Sequence, residues 1–346
     1  MNRISIHTIL FFISLFVLVH AGIAQKTDTI IHINGNVLTG DLKKLVYGVA
    51  TWKMDGMGTI SVEEPKIKTI KSDKLFEIKM YNGFIYFGSF DTSNIPRMVN
   101  IVVTNGKTLV HLEEIVEIYP LRKSFWSRTS GNFSLGANFS KGSNVGTIAF
   151  SGNLSYRKRK SYYEFSWDDN NTIQADTISS SKTDINFAWQ RLLKNNWSTE
   201  VAIGADQNSE LGTRLRLGLN VIGLRDISYN NWNRLYTGAG LSLNREIPYD
   251  ESNITNDLAG IIQVVWKVFK YTQPKVWVDA NISFLPYITN SPRYRSVFNL
   301  NPKVSIFSDN FKVGFSFYYT YDSKPASTDA STTDYGINLE LSYSLH

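Results

Sequence analysis

The sequence predicts an all-β chain: a leader, a tandem of small β barrels of SH3 or Sm type, and a transmembrane antiparallel β-barrel of about twelve strands. Three observations predict it. The final stretch alternates without a break, with Tyr335, Ile337, Leu339, Leu341, Tyr343 and Leu345 on one face and Gly336, Asn338, Glu340, Ser342, Ser344 and His346 on the other. That period of two belongs to a strand with one apolar and one polar face. Similar apolar sets recur from Phe133 onward, separated by connectors that are alternately short and long. Between residues 28 and 120, turn and strand residues repeat at a fixed spacing of 48.

The chain opens with Arg3, an apolar run from Ile9 to Val19, and Ala21-Gly-Ile-Ala24. A basic start, a short apolar core and small residues at the end make a secretory leader over residues 1–24, cut after Ala24. The apolar run is shorter than the about 20 residues a spanning helix needs. No Cys follows, so neither a lipid anchor on Cys nor a disulfide framework is expected. The composition, 42% hydrophobic, 13% aromatic and 19% charged, is too apolar for disorder and too aromatic for an ordinary soluble enzyme. The net charge of +6 is spread along the chain rather than striped, which speaks against nucleic acid as a partner.

Residues 25–73 and 74–122 read as two copies of one small β unit. Asn34-Gly35 with Gly40 returns as Asn82-Gly83 with Gly88, and Gly58, Val62, Ile67 and Ile70 return as Gly106, Val110, Ile115 and Ile118. Asn-Gly pairs serve tight hairpin turns, and equal spacing at so many punctuating positions marks a duplication. No Lys-Ser or Lys-Thr pair accompanies the glycines, so a phosphate loop is not expected. His32 and His111 stand alone within strands, and no metal site or cofactor is expected. Small β barrels bind peptides, glycans or other subunits through loops and edges, so the pair reads as an interaction module.

Residues 125–346 read as the membrane barrel. Connectors at residues 157–160, 193–196, 270–274 and 308–310 are tight, whereas those at 169–181, 245–256 and 322–333 are long and polar. This is the asymmetry of outer-membrane barrels, with short periplasmic turns and longer outer loops. Residues 222–231 stand out as a long connector on the short side. The faces opposite the apolar sets carry the charges expected in the lumen. Arg214, Arg216, Lys275, Arg295 and Lys303 form a basic wall, and Glu164, Asp184 and Glu200 an acidic one. Such walls would set a field across an open pore; in a plugged barrel they would neutralise one another as structural pairs.

Beyond the leader the histidines are His32, His111 and His346, none of them within the body of the barrel. Without an imidazole base or a Cys there, no enzyme is expected. The segment Gly336, Leu339, Leu341 and Tyr343 resembles the C-terminal assembly signal of outer-membrane barrels, although the chain ends in Leu345-His346 rather than Phe or Trp. The strand pattern and this C-terminal segment resemble the salt-induced outer-membrane protein family, whose function is unknown. The resemblance implies a Gram-negative outer-membrane location, with membrane lipid and the barrel-assembly machinery as partners, and carries over no site residue. Two functions stay open. One is a passive channel for a small polar or charged solute. The other is a structural, assembly or envelope-stress role, in which a plugged barrel anchors the periplasmic module to a protein or cell-wall partner.

Overall fold

The computed structural model describes residues 28–345, except 55, 122–124, 126–127, 141–143, 175–176, 250–253, 273, 309 and 327–329; the expected leader and His346 lie outside the described residues. The first half comprises β1 (Asp28–His32), β2 (Val37–Val46), β3 (Val49–Met54), β4 (Gly58–Glu63), β5 (Ile67–Met80), β6 (Ile85–Thr92), β7 (Met98–Val103), β8 (Gly106–His111) and β9 (Ile115–Pro120). Their order is β4-β3-β2-β1-β5-β6-β7-β8, and β9 pairs with both β2 and β5, so that β1, β2, β9 and β5 close a small ring. Asn34-Gly35 and Asn82-Gly83 turn β1 into β2 and β5 into β6, with Gly35 at φ 90° and Gly83 at φ 84°, a region open to glycine.

β5 crosses the boundary expected between residues 73 and 74. Its first half pairs Ile70 with Ile30 of β1, and its second half pairs Ile78 with Ile118 of β9. The two segments therefore share one strand and one core, built on Ile30, Leu45, Trp52, Ile70, Phe76 and Ile118. One continuous core thus serves both segments.

The second half is a closed antiparallel barrel of twelve strands: β10 (Thr129–Ser140), β11 (Val145–Lys158), β12 (Ser161–Gln174), β13 (Thr177–Leu192), β14 (Trp197–Asn208), β15 (Thr213–Tyr229), β16 (Asn233–Pro248), β17 (Thr255–Lys270), β18 (Val276–Pro286), β19 (Tyr294–Ser305), β20 (Phe311–Asp322) and β21 (Thr333–Leu345). β10 and β21 close it, with Leu135 opposite Leu341. On β21 the apolar set faces out, Tyr335 69% and Leu339 62% exposed, while Asp334, Asn338, Glu340 and Ser342 are buried. An apolar exterior around a polar interior is the inverse of a soluble sheet and fits a barrel with lipid outside. Among the described residues no helix is long and apolar enough to cross a membrane.

Two expectations need correction. Residues 222–229 are strand, because β15 runs to Tyr229 and only a tight turn precedes Asn233. The alternation fades there because both faces are apolar: Val221 and Ile227 face out, and Ile222 and Leu224 pack inward against Ile261, Tyr236 and Leu285. Likewise residues 169–181 are mostly the paired arms of β12 and β13, with Asn171 opposite Ser181. Polar side chains on both faces disguised a hairpin that continues the sheet.

Candidate functional site

One end of the barrel carries its tight turns and both of its terminal strand ends; the N-terminal module is seated there. Along the second half of β5, Phe76, Ile78 and Met80 enter the module's core, so the alternate residues Glu77 and Lys79 face the barrel. Glu117 on β9 does the same between Val116 and Ile118. Arg157 at the end of β11 reaches Glu77 Oε1 at 2.7 Å and Glu117 Oε2 at 3.2 Å, and the Lys160 amide donates to Glu77 Oε2 at 3.0 Å. Tyr229 donates its hydroxyl to Glu117 Oε1 at 2.5 Å. Lys79 meets Asp226 of β15 at 3.0 Å, and Arg234 of β16 holds the other oxygen of that carboxylate at 2.9 Å.

Three cations and three carboxylates are thus shared across the contact, and Glu77, Lys79 and Glu117 are buried. Burial alone would raise the Glu117 carboxyl, but the charges of Arg157, Lys79 and Arg234 and the Tyr229 hydroxyl bring it down to about 2. Ion pairs buried this deeply cost desolvation on both surfaces and are stable only together. Around them Tyr47 stacks on Phe269 at 3.7 Å, and Arg159 lies 4.0 Å from the centre of the Phe87 ring.

The other end, with the longer loops, is closed by the barrel itself. Asp168, Asp184, Asp206, Arg216 and Glu246 stand opposite one another in register across β12 to β16. Arg216 is buried in an ion pair with Glu246, 3.2 Å from Asp206 and 3.7 Å from Asp322 of β20, on the far wall. Arg293, folded in from the loop before β19, meets Glu246 at 2.7 Å and Asp322 at 2.6 Å. Over this layer the Ser331 amide donates to the Glu210 carbonyl at 3.0 Å, and Asn208 donates to Asp334 at 2.7 Å, tying the loop before β21 to the β14–β15 turn.

Between the two closures lie two adjoining polar cavities. One, of about 330 Å³, sits where module and barrel meet and is lined by Lys44, Arg128, Glu164, Lys275, Trp277 and Lys312, among others. The second, of about 290 Å³, lies further in, against Asp168, Asp184, Lys303 and Glu340. Asn132, Asn153 and Asp279 line both. The opposite side of the lumen is filled by Ile222, Leu224 and Ile261.

The residues singled out in the sequence are distributed among these features. Glu164 accepts a 2.6 Å hydrogen bond from Tyr162 and faces the first cavity, as does Lys275, which lies in the turn before β18 rather than on a strand. Asp184 faces the second cavity, and Lys303 pairs there with Glu340 at 3.0 Å and donates to Ser342 at 2.9 Å. Glu200 is half-buried on β14. Arg216 and Arg295 join the buried layer, Arg295 at 3.7 Å from Asp206. Arg214 departs from the expected basic wall: it is exposed, beside a register shift between Thr213 and Leu215. A bulge adds a residue, so the spacing of two no longer puts Arg214 and Arg216 on one face. The two walls are therefore interleaved, with Arg216 between two acidic strands.

Gly336 lies inside, opposite Tyr318, where a Cβ would come within 2.7 Å of the ring, while Leu339, Leu341 and Tyr343 face out. Reading the sequence missed Glu77, Lys79, Glu117, Asp226 and Tyr229. A signal was present: at the 48-residue spacing the first copy carries Thr29, Ile31 and Thr69 where the second carries Glu77, Lys79 and Glu117. Among the described residues no group of His, Asp and Glu is arranged to hold a metal ion.

Fold and interior together define a transmembrane antiparallel β-barrel of the outer-membrane kind, here bearing an N-terminal β module at its turn end. No family model and no curated protein matches the chain. Among solved structures it is similar to the NanC porin, at 8% identity and a TM-score of 0.40 over 62% of this chain and 100% of that one. It is similar also to a bacterial polysaccharide outer membrane secretin, at 7% identity and a TM-score of 0.33 over 63% of this chain and 98% of that one. A third likeness is to the beta domain of the Bordetella autotransporter BrkA, at 8% identity and a TM-score of 0.31 over 63% of this chain and 98% of that one.

Proposed function

We propose that this protein is an outer-membrane barrel that stands closed, holding its N-terminal module at the periplasmic mouth, and that it serves the cell envelope through that module rather than as an open pore. The observation that carries this reading is the buried contact of Glu77 and Glu117 with Arg157, and of Lys79 with Asp226. A module that only trailed from the barrel would not bury charges against it. The tight turns at the module's end support a periplasmic orientation. Insertion by the barrel-assembly machinery through β21, membership of the salt-induced outer-membrane protein family, and a protein or cell-wall partner for the module belong to the same reading. No catalytic step enters it.

The adjoining polar cavities favour a second reading, in which a small polar solute passes once the module moves aside. Single-channel recording of the refolded full chain in a planar bilayer tests both. The closed reading expects a silent barrel at low voltage, and steady openings of the unmodified chain would refute it. Openings of a Lys79→Ala, Arg157→Ala double variant, with the loop-end layer around Arg216 and Arg293 intact, would instead support passage controlled by the module alone.

A further inference from the structure

The Asn34-Gly35 and Asn82-Gly83 turns share one backbone form. In each, the Asn side chain accepts from the amide two residues on, that of Asn36 at 3.0 Å and of Phe84 at 3.1 Å, and the glycine amide donates to the carbonyl three residues back at 2.9 Å. The bordering side chains differ: Ile33 and Asn36 flank the first turn, Tyr81 and Phe84 the second. Turn chemistry therefore does not demand two aromatic rings here. Nor does the core hold them, since Tyr81 is 50% and Phe84 65% exposed.

The second turn is the one that touches the rim of the barrel. A Cβ on Gly83 would come within 2.6 Å of the Asn196 amide nitrogen, and Asn196 Nδ2 donates to the Tyr81 carbonyl at 3.4 Å. Asn196 ends the β13–β14 turn, and the next residue, Trp197, shares the outward, exposed face of β14 with Ile203. Leu193, on the other arm of that turn, is exposed as well. One residue along a strand is a rise of ~3 Å, whereas the headgroup layer is roughly 5–8 Å deep on each side of a bilayer. The tip of the module thus falls at headgroup depth if Trp197 marks the edge of the apolar belt. Cations stand around it. Arg225 lies opposite Trp197 with its guanidinium 5.5 Å from the ring centre, Arg191 and Lys194 are exposed, and Arg159 sits 4.0 Å from the centre of the Phe87 ring on β6. Aromatic rings beside Arg and Lys are the residues that settle at a membrane–water interface.

We propose that the Asn82-Gly83 turn of the module dips into the periplasmic leaflet of the outer membrane, with the Tyr81 and Phe84 rings among phospholipid headgroups and Arg191, Lys194 and Arg225 on their phosphates. This contact rests on the proposed seating of the module at the periplasmic mouth, and it adds a lipid anchor to the buried ion pairs.

The chain has no Cys, so a single introduced thiol carries a label at one site only. Full chains with Tyr81→Cys, Phe84→Cys, Asn36→Cys or Leu339→Cys, each bearing the same bimane fluorophore, are refolded into vesicles of phosphatidylethanolamine and phosphatidylglycerol that carry a nitroxide on the headgroup or in the acyl chain. The headgroup nitroxide should quench the labels at 81 and 84 at least about twofold more than the label at 36, the equivalent position of the first turn. Quenching of the label at 339 by the acyl-chain nitroxide verifies insertion. Arg191→Gln with Lys194→Gln should lower the quenching at 84 by about half. Equal quenching at 84 and 36, in a chain whose residues 28–120 resist protease, would overturn the lipid contact and leave the seating in place. Equal quenching with those residues digested would refute the seating and the contact together. A label at 84 that is shielded from water yet quenched by neither nitroxide would reveal a protein occupant, such as a second copy of the chain, and would likewise overturn the contact.

Discussion

Arg157 holds two module carboxylates at once, so its loss leaves two buried charges short of a partner. Removing one member of such a buried set typically costs about 3–5 kcal/mol. We expect Arg157→Ala to release the module from the barrel, measured as new sites of limited proteolysis within residues 28–120 while the barrel stays folded. Glu117 supplies the pH dependence. Its carboxyl is depressed to about 2 in the folded chain, below the ordinary 4.5, so its stabilisation is complete above 4.5 and is lost as pH falls toward 2. Protease sensitivity of the module should therefore rise over that window, and Glu117→Gln should flatten the rise. None of these roles is legible in single residues of the sequence, because a Glu or Lys beside core residues on a strand ordinarily faces water. The contrast of Thr29 and Thr69 with Glu77 and Glu117 at the 48-residue spacing was the readable trace that the two segments present different surfaces.

At the scale of elements, β21 shows how far periodicity reaches. Its two faces were fully legible, since lipid outside and polar groups inside demand a strict period of two. Leu339 lies midway along the strand and faces out, so Leu339→Arg should cost about 2–4 kcal/mol in refolding into lipid bilayers if it sits at the membrane midplane. Denaturant titration in vesicles measures this, with the exposed Lys107→Met as the neutral comparison. Gly336→Leu should slow or prevent closure for a different reason, since the added side chain meets the Tyr318 ring; the folded fraction on a gel without heating reads the effect. β15 marks where periodicity stops serving. The inward Ile222 and Leu224 pack against Ile261 on β17, and an apolar lumen wall beside an apolar outer face leaves no alternation to read.

At the scale of the whole molecule, the barrel is closed twice by unlike means. The turn end is covered by a module whose two halves share the continuous β5, and the loop end by a buried layer around Arg216 and Arg293. Loss of either closure alone should leave the barrel silent in a planar bilayer, if the two act in series. Expected conductances therefore follow an order: none for the full chain, none for Arg293→Ala alone, and openings only where that change is combined with Lys79→Ala and Arg157→Ala. Openings from Arg293→Ala alone would show that the module does not seal its end.

The sequence by itself determined the all-β class, the twelve-strand count, the polar interior and the position of most connectors, because each follows from local alternation and turn chemistry. Tertiary structure alone decided which charges meet. Arg216 and Asp322 stand on strands nearly opposite in the barrel, and Glu117 and Tyr229 are 112 positions apart in the chain. Such pairings depend on barrel closure and on the seating of one unit against another, and alternation along a strand gives the face of a residue but not the partner across a lumen.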